Sequence, residues 1–245
     1  MSDFYITLPS NSSMKTYPDN TLTHYFVKLD RPLRLEGKWL VGLVEMHYPN
    51  SWDNVTDGRI VVTKKASATA NVAFIKTGRY RTVEEILHAI HFQLSTFQNL
   101  GKSIRLSWDK VQNLCSVSVS VDDLEIKLSK NISNILGLEN RFHGTGVTEG
   151  VRQCDISEGF SALYVYSNIV ESQIVGDIQA PLLRIVPIQE RSKETNHVES
   201  FDHVQYLPLI NSGTETIETF IRRDDGSSVP FQSGKVIVTL HLKKA

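Results

Sequence analysis

The chain has 245 residues and carries 26 Lys plus Arg against 27 Asp plus Glu, a formal net charge of −1. With 40% hydrophobic and 22% charged residues, the composition is typical of a globular protein and excludes a disordered or collagen-like chain. Because the charges balance, we expect no overall attraction to polyanions and no direct sequence-specific binding to nucleic acid.

No segment has the composition of a membrane span. The N-terminal stretch MSDFYITLPSNSS lacks the basic and apolar regions of a secretory signal. No apolar run approaches the roughly 18 residues that a bilayer span requires. We therefore expect neither a signal peptide nor a membrane span, and synthesis in a reducing compartment.

Thirteen segments are predicted as strands. The clearest evidence is strict alternation of apolar and polar residues, as in SIRLSW at 103–108 and CSVSVSV at 115–121, which gives each strand one buried and one solvated face. In chain order, the predicted strands cover roughly 3–8, 21–29, 38–48, 59–63, 71–76, 103–108, 115–121, 124–128, 161–166, 182–188, 200–207, 215–222 and 236–242.

Two segments have a helical pattern. A capping box of Thr82 and Glu85 precedes a stripe of apolar residues with helical spacing, which predicts an amphipathic helix near 83–97 packed on a sheet. A shorter helix is predicted over 131–136, because Gly137 follows it in the position of a left-handed C-cap.

No repeat, low-complexity tract or linker divides the chain, so we expect a single domain over 1–245. The polar stretches 141–159 and 189–200 are predicted as long loops. A single domain with more than ten strands must curl or split into two packed sheets, which leaves an all-β sandwich, jelly roll or barrel.

Few residues form a pattern with chemical meaning, and we predict no catalytic, cofactor-binding or metal site. Glu84, His88 and His91 share one flank of the predicted helix, but without a further ligand a solvated flank is favoured over zinc. The glycine-rich segment 144–150 is interpreted as a loop rather than a phosphate cradle, since its spacing does not fit a dinucleotide-binding motif.

The two cysteines have different settings. Cys115 falls in phase with the apolar positions of a predicted strand, which favours a small buried residue. Cys154 lies in a polar loop, where exposure is expected. Three sequons, at Asn11, Asn54 and Asn131, are interpreted as turn residues or a helix start rather than glycan acceptors.

The segment WLVGLV at 39–44 is apolar on both faces, although an antiparallel strand usually has one polar face. Since Met46 and Tyr48 continue the even positions, we assign the even face to the core. The candidate subunit interface is then the odd face, which carries Trp39, Val41 and Leu43.

Three segments resemble a known family. The first is FYITLPSNSSM at 4–14, which continues through 17–21 into GKWLVGLVEM at 37–46 and YP at 48–49. The second is ILGL at 135–138, and the third is VPFQSGKVIVTLH at 229–241. The chain resembles the minor capsid proteins of Polinton (Maverick) transposable elements and related adintoviruses.

The resemblance implies a single jelly-roll fold without enzymatic activity or cofactors. It implies a penton subunit that forms homopentamers at icosahedral vertices, beside a double jelly-roll major capsid protein, and a virion protein made in the host cytoplasm and assembled inside the host cell. The first alternative is a jelly-roll module that binds a ligand or receptor. Trp52 is the candidate exposed aromatic residue of such a module, and the competing interpretation of Trp52 is a structural anchor. A β-sandwich enzyme is the second.

Overall fold

A computed structural model describes residues 3–65, 69–97, 101–157, 160–188, 196–210 and 213–245. The described chain is predominantly antiparallel β-structure with two α-helices, and it divides into two compact units. Unit 1 comprises residues 1–52 and 160–245, and unit 2 comprises residues 53–159.

Eight main strands of unit 1 form two antiparallel sheets. They are β1 (Asp3–Pro9), β2 (His24–Arg34), β3 (Trp39–Pro49), β11 (Ala162–Ser167), β14 (Leu182–Pro187), β15 (Asn196–Ser200), β17 (Gly213–Arg222) and β18 (Ile237–Lys244). One sheet has the order β1-β18-β3-β15, and the other has the order β14-β11-β17-β2. Counted within this unit, the strands pair as 1-8-3-6 and 5-4-7-2, which is the arrangement of a jelly roll.

The jelly roll has one continuous hydrophobic core, to which both sheets contribute. Val41, Leu43 and Leu240 from one sheet and Val165 and Ile217 from the other are fully buried. Three short strands complete unit 1: β12 (Gln173–Val175) and β13 (Ile178–Ala180) form a hairpin, and β16 (Leu207–Pro208) pairs with β3. The prediction of an all-β jelly-roll sandwich is confirmed.

Unit 2 contains the other strands and both helices. They are β4 (Arg59–Lys64), β5 (Thr69–Phe74), α1 (Val83–Ser95), β6 (Ile104–Asp109), β7 (Leu114–Val119), β8 (Leu124–Leu128), α2 (Lys130–Ile135), β9 (Arg141–His143) and β10 (Gly146–Glu149). The sheets have the orders β5-β4-β8-β9 and β10-β7-β6. Helix α1 packs on β6 and β5, and its apolar stripe lies in a second hydrophobic core.

The sequence-based expectation of one undivided domain over 1–245 differs from this arrangement. The jelly roll itself is discontinuous, because unit 2 is inserted between its third and fourth strands. The two hydrophobic cores share no residue. An insertion of this kind leaves no linker or compositional shift in the sequence, so the pattern of residues does not reveal it.

Both predicted helices are confirmed. Thr82 Oγ1 accepts a hydrogen bond from Glu85 N at 3.2 Å, and Glu85 accepts one from Arg81 N at 2.7 Å, which is a capping box displaced by one residue. Gly137 has φ +65°, as a left-handed cap requires. None of the described helices is long and apolar enough to cross a membrane.

The predicted loops are wrong in part. Within 141–159, strands β9 and β10 are present, and within 189–200 the described residues 196–200 form β15. The strand predicted at 200–207 is instead the crossing between β15 and β16. Residues 158–159 and 189–195 lie outside the described chain.

Candidate functional site

Strand β3 contains a β-bulge that explains its two apolar faces. In the pairing with β18, Leu43 lies opposite Leu240 and Glu45 lies opposite Thr239, so Val44 has no partner in that strand. A bulge residue shifts the side-chain alternation by one position. Before the bulge the odd residues point into the core, and after it Met46 and Tyr48 do so.

The structure contradicts the predicted subunit interface. Trp39, Val41 and Leu43 are 8%, 0% and 0% exposed and belong to the jelly-roll core. An alternation without a bulge would place the even residues Leu40 and Val44 in the core, but both are half-exposed. The core-facing apolar residues lie at odd positions up to Leu43 and at even positions from Met46 onward. This change is the sequence signal for the bulge, and it is missed when a strict alternation with a period of two is assumed.

The solvent-facing side of this sheet is partly covered by the chain itself. A Cβ atom at Gly42 would lie 2.5 Å from Val204 Cγ1 and 2.7 Å from Gln205 O, so residues 201–206 cross the sheet in close contact. Beside Gly42, His241 Nδ1 lies 2.8 Å from the Tyr206 hydroxyl. This part of the sheet is therefore unavailable to another molecule.

In the part of the chain that the structure describes, the jelly roll has two open sides, each formed by the edge strands of both sheets. On one side, the Tyr25 hydroxyl of β2 donates a hydrogen bond to Leu8 O of β1 at 3.2 Å. On the other side, the Arg184 guanidinium of β14 stacks on Phe201 at 3.7 Å, directly after β15. We name these the β1/β2 side and the β14/β15 side.

Exposed apolar side chains lie at both open sides. Tyr5 and Met14 are exposed in the β1/β2 region, and Ile185 and Val198 are exposed on the edge strands of the β14/β15 side. Edge strands also present unpaired backbone groups, which makes them a natural place for contact with another chain. The two open sides are the candidate assembly surfaces of this protein.

An apolar groove of about 510 Å³ lies where β16 meets β3. Its lining includes Trp39, Leu40, Leu209 and Ile210, with Lys38 and Glu171 at polar positions. The described residues that line the groove include no cluster of titratable or nucleophilic side chains.

The helix flank that carries Glu84 and His91 is engaged in internal contacts. Glu84 forms an ion pair with Lys110 at 2.6 Å, and this hydrogen bond lowers the pKa of Glu84. His91 Nε2 accepts a hydrogen bond from Leu106 N at 3.1 Å, and burial, with the nearby Arg105 charge, lowers the pKa of His91. In the described part of the chain, no group of three or more His, Cys, Asp or Glu side chains is arranged to hold a metal ion, His88 included.

The glycine-rich segment is occupied by a carboxylate. Asp122 accepts hydrogen bonds from the backbone N–H and the hydroxyl of Thr145, and these bonds lower the pKa of Asp122. The residues that follow, 146–149, form the edge strand β10. A negatively charged side chain at this position disfavours a phosphate ligand.

Trp52 is a structural anchor. Its ring lies 5.2 Å from that of Phe160 and 5.9 Å from that of Phe231, and the side chain is buried. The ligand-binding alternative therefore loses its candidate exposed aromatic residue.

The expected exposure of Cys154 is wrong. Cys154 and Cys115 are both buried in unit 2, and their Sγ atoms are 3.3 Å apart. Asn54 and Asn131 are also engaged: Asn54 Nδ2 donates to Tyr80 O and Ile156 O, and Asn131 Nδ2 donates to Asn54 O.

A solved structure with the same overall fold is that of the mavirus penton protein. It matches with a TM-score of 0.55 over 99% of this chain and 100% of that chain, at 8% sequence identity. The likeness in sequence is too low to carry more than the fold. The described chain therefore has a penton-like fold.

Other solved structures match more weakly. Two structures of the flagellar cap protein FliD from Escherichia coli cover 90% of this chain at 12% and 11% identity, with TM-scores of 0.24 and 0.25, which carry no argument. No family model and no curated protein matches the sequence.

Proposed function

We propose that this protein is a penton subunit of an icosahedral capsid, forming homopentamers at the fivefold vertices. The observation that carries the proposal is the penton-like fold over 99% of the chain, which includes both the discontinuous jelly roll and the inserted unit. The resemblance of the terminal segments to Polinton and adintovirus minor capsid proteins supports the same role. The protein acts in the virion by assembly and performs no catalysis.

The subunit contact in the proposed ring uses the two open sides of the jelly roll. A closed ring with fivefold symmetry requires a heterologous contact, in which one surface of each copy meets a different surface of the next. The β1/β2 side and the β14/β15 side are different surfaces of one sandwich, and both expose apolar side chains. They replace Trp39, Val41 and Leu43 as the proposed interface.

The proposed partners are further copies of this chain and a double jelly-roll major capsid protein surrounding each pentamer. In this scheme the chain is made in the host cytoplasm and assembles inside the cell. The balanced charge fits a shell protein that recognises protein surfaces rather than nucleic acid.

Negative-stain imaging of the purified protein, with designed variants, tests the proposal. We expect ring-shaped particles with five subunits for the natural sequence. Ile185→Asp and Val198→Asp are expected to retain the melting temperature but to yield single subunits, because each introduces a charge that is desolvated only on assembly. Val111→Asp is the matched control, since Val111 is 95% exposed and lies in unit 2.

Rings that persist in both edge variants contradict the proposed contact. Single subunits for the natural sequence at high concentration contradict the penton role and favour the alternative, a jelly-roll module that binds a ligand or receptor.

A further inference from the structure

The only two cysteines of the chain lie in direct contact, although they are 39 residues apart in sequence. Cys115 is on β7, and Cys154 is on the segment 150–155 that follows β10, which we name the return strap. Their Sγ atoms are 3.3 Å apart. The Cys154 Sγ also lies 3.5 Å from Leu136 O.

Backbone hydrogen bonds hold the return strap against β7. Gly150 N donates to Cys115 O at 2.7 Å, and Cys154 N donates to Asn113 O at 2.9 Å. The Asn113 side chain returns a hydrogen bond to Cys154 O at 3.0 Å. The backbones of the two cysteines are thus fixed relative to each other by contacts that do not involve sulfur.

The two thiols differ in accessibility and acidity. Cys154 is 8% exposed and Cys115 is 1% exposed, so Cys154 is the thiol that an oxidant meets first. The hydrogen bond between the two side chains lowers the pKa of Cys154, whereas that contact and burial raise the pKa of Cys115. The thiolate is the nucleophile in disulfide exchange, which assigns the first step to Cys154.

We propose that Cys115 and Cys154 are a disulfide-forming site, which a small-molecule disulfide such as oxidised glutathione closes. The Cys154 thiolate attacks one sulfur of the oxidant, whose S–S bond breaks and releases one thiolate. The Cys115 thiol then loses its proton, and its sulfur attacks Sγ of Cys154 and displaces the second thiolate. Two protein thiols are oxidised by two electrons, and the oxidant is reduced to two thiols.

The bond fastens the return strap to β7. It closes a long loop of chain within unit 2 and removes conformational freedom from the unfolded state. The reduced protein already holds the strap by backbone hydrogen bonds, so oxidation adds stability without requiring a new fold. The inference is independent of the proposed capsid role.

Redox titration with two readouts tests the proposal. The purified, fully reduced chain is incubated in buffers with increasing ratios of oxidised to reduced glutathione and then analysed by intact mass and by thermal melting. We expect the loss of two hydrogen atoms, one crosslinked peptide pair containing both cysteines, and a rise in the unfolding temperature of at least about 5 °C. Cys115→Ala and Cys154→Ala, each folded in the reduced state, are expected to show neither the crosslink nor the rise.

Three outcomes overturn the proposal: no internal crosslink at any glutathione ratio, a glutathione adduct that persists without an internal crosslink, or a crosslink only between different chains. An internal crosslink that leaves the unfolding temperature unchanged contradicts the expected gain in stability. The measurement on the natural sequence is decisive even if one alanine variant fails to fold.

Discussion

The β-bulge at Val44 decides which side chains of β3 stabilise the jelly roll. Val41 lies before the bulge and is fully buried, whereas Val44 is the bulged residue and is half-exposed. An aspartate at a buried site without a partner costs several kcal/mol, compared with a total stability of about 5–15 kcal/mol for a domain.

Val41→Asp is therefore expected to unfold the jelly roll, and Val44→Asp to destabilise it by about 1 kcal/mol or less. Denaturant unfolding followed by tryptophan fluorescence measures both variants, since Trp39 and Trp52 report on this core. Equal loss of stability in the two variants would place Val44 in the core and refute the bulge.

His91 gives unit 2 a pH-dependent stability. Its folded pKa is lowered by burial and by Arg105, so the unfolded chain binds the proton more readily. The stability from neutral His91 is fully present above its unfolded pKa of about 6.5 and declines as the pH falls below that value.

We expect the melting temperature of unit 2 to decrease between pH 7 and pH 5, and His91→Gln to reduce this slope. The glutamine oxygen retains an acceptor for Leu106 N, so the comparison isolates the titration. Phe92→Gln, on the exposed face of α1, is the control. A slope in His91→Gln equal to that of the natural chain would exclude His91 as its source.

At the scale of elements, local patterns identify the strands and helices that have one buried face. In such an element the apolar residues recur at the buried positions, so the sequence shows where it lies. The alternation in β6, β7 and β8 is an example, as is the capping box before α1. Strand β10 is exposed at all four residues, and β9 has three residues, so neither has a pattern of its own. Both form by pairing with another strand, β9 with β8 and β10 with β7, and no local pattern shows this pairing.

Three features that decide the functional interpretation are also hard to predict from local patterns. The bulge in β3, the contact of Cys115 with Cys154 and the burial of Trp52 against Phe231 each depend on residues far apart in the chain. The sequence predicts that β3 is unusual, and only the pairing with β18 explains why.

Asn54 connects the beginning and end of the inserted unit. It accepts a hydrogen bond from Tyr80 N at 2.8 Å and donates to Tyr80 O and Ile156 O at 2.8 and 3.0 Å. Asn54→Ala leaves these backbone groups without their partner and is expected to lower the free energy of unfolding of unit 2 by about 2–4 kcal/mol. Chemical denaturation measures the loss, with the exposed Asn140→Ala as control. A loss no larger than that of the control would mean that water replaces the side chain at little cost.

At the scale of the whole molecule, the jelly roll has a core without any residue of unit 2. Its chain is interrupted between Trp52 and Phe160, whose rings are 5.2 Å apart. A short flexible linker therefore spans the gap when residues 53–159 are removed.

The shortened chain is expected to fold cooperatively, with the β-sheet circular dichroism and buried tryptophans of the jelly roll. Thermal unfolding and tryptophan emission are the measurements. A chain that lacks a cooperative transition would show that the jelly roll depends on unit 2 for its stability.

The oligomeric state tests the proposed penton role most directly, because a penton subunit must form a closed ring of five copies. Weak individual contacts become stable when symmetry closes the ring, so the assembly is expected to be concentration-dependent. Native mass spectrometry of the full chain is expected to show five copies in equilibrium with the monomer. A strict monomer at high concentration, or a trimer, would contradict the proposed penton role.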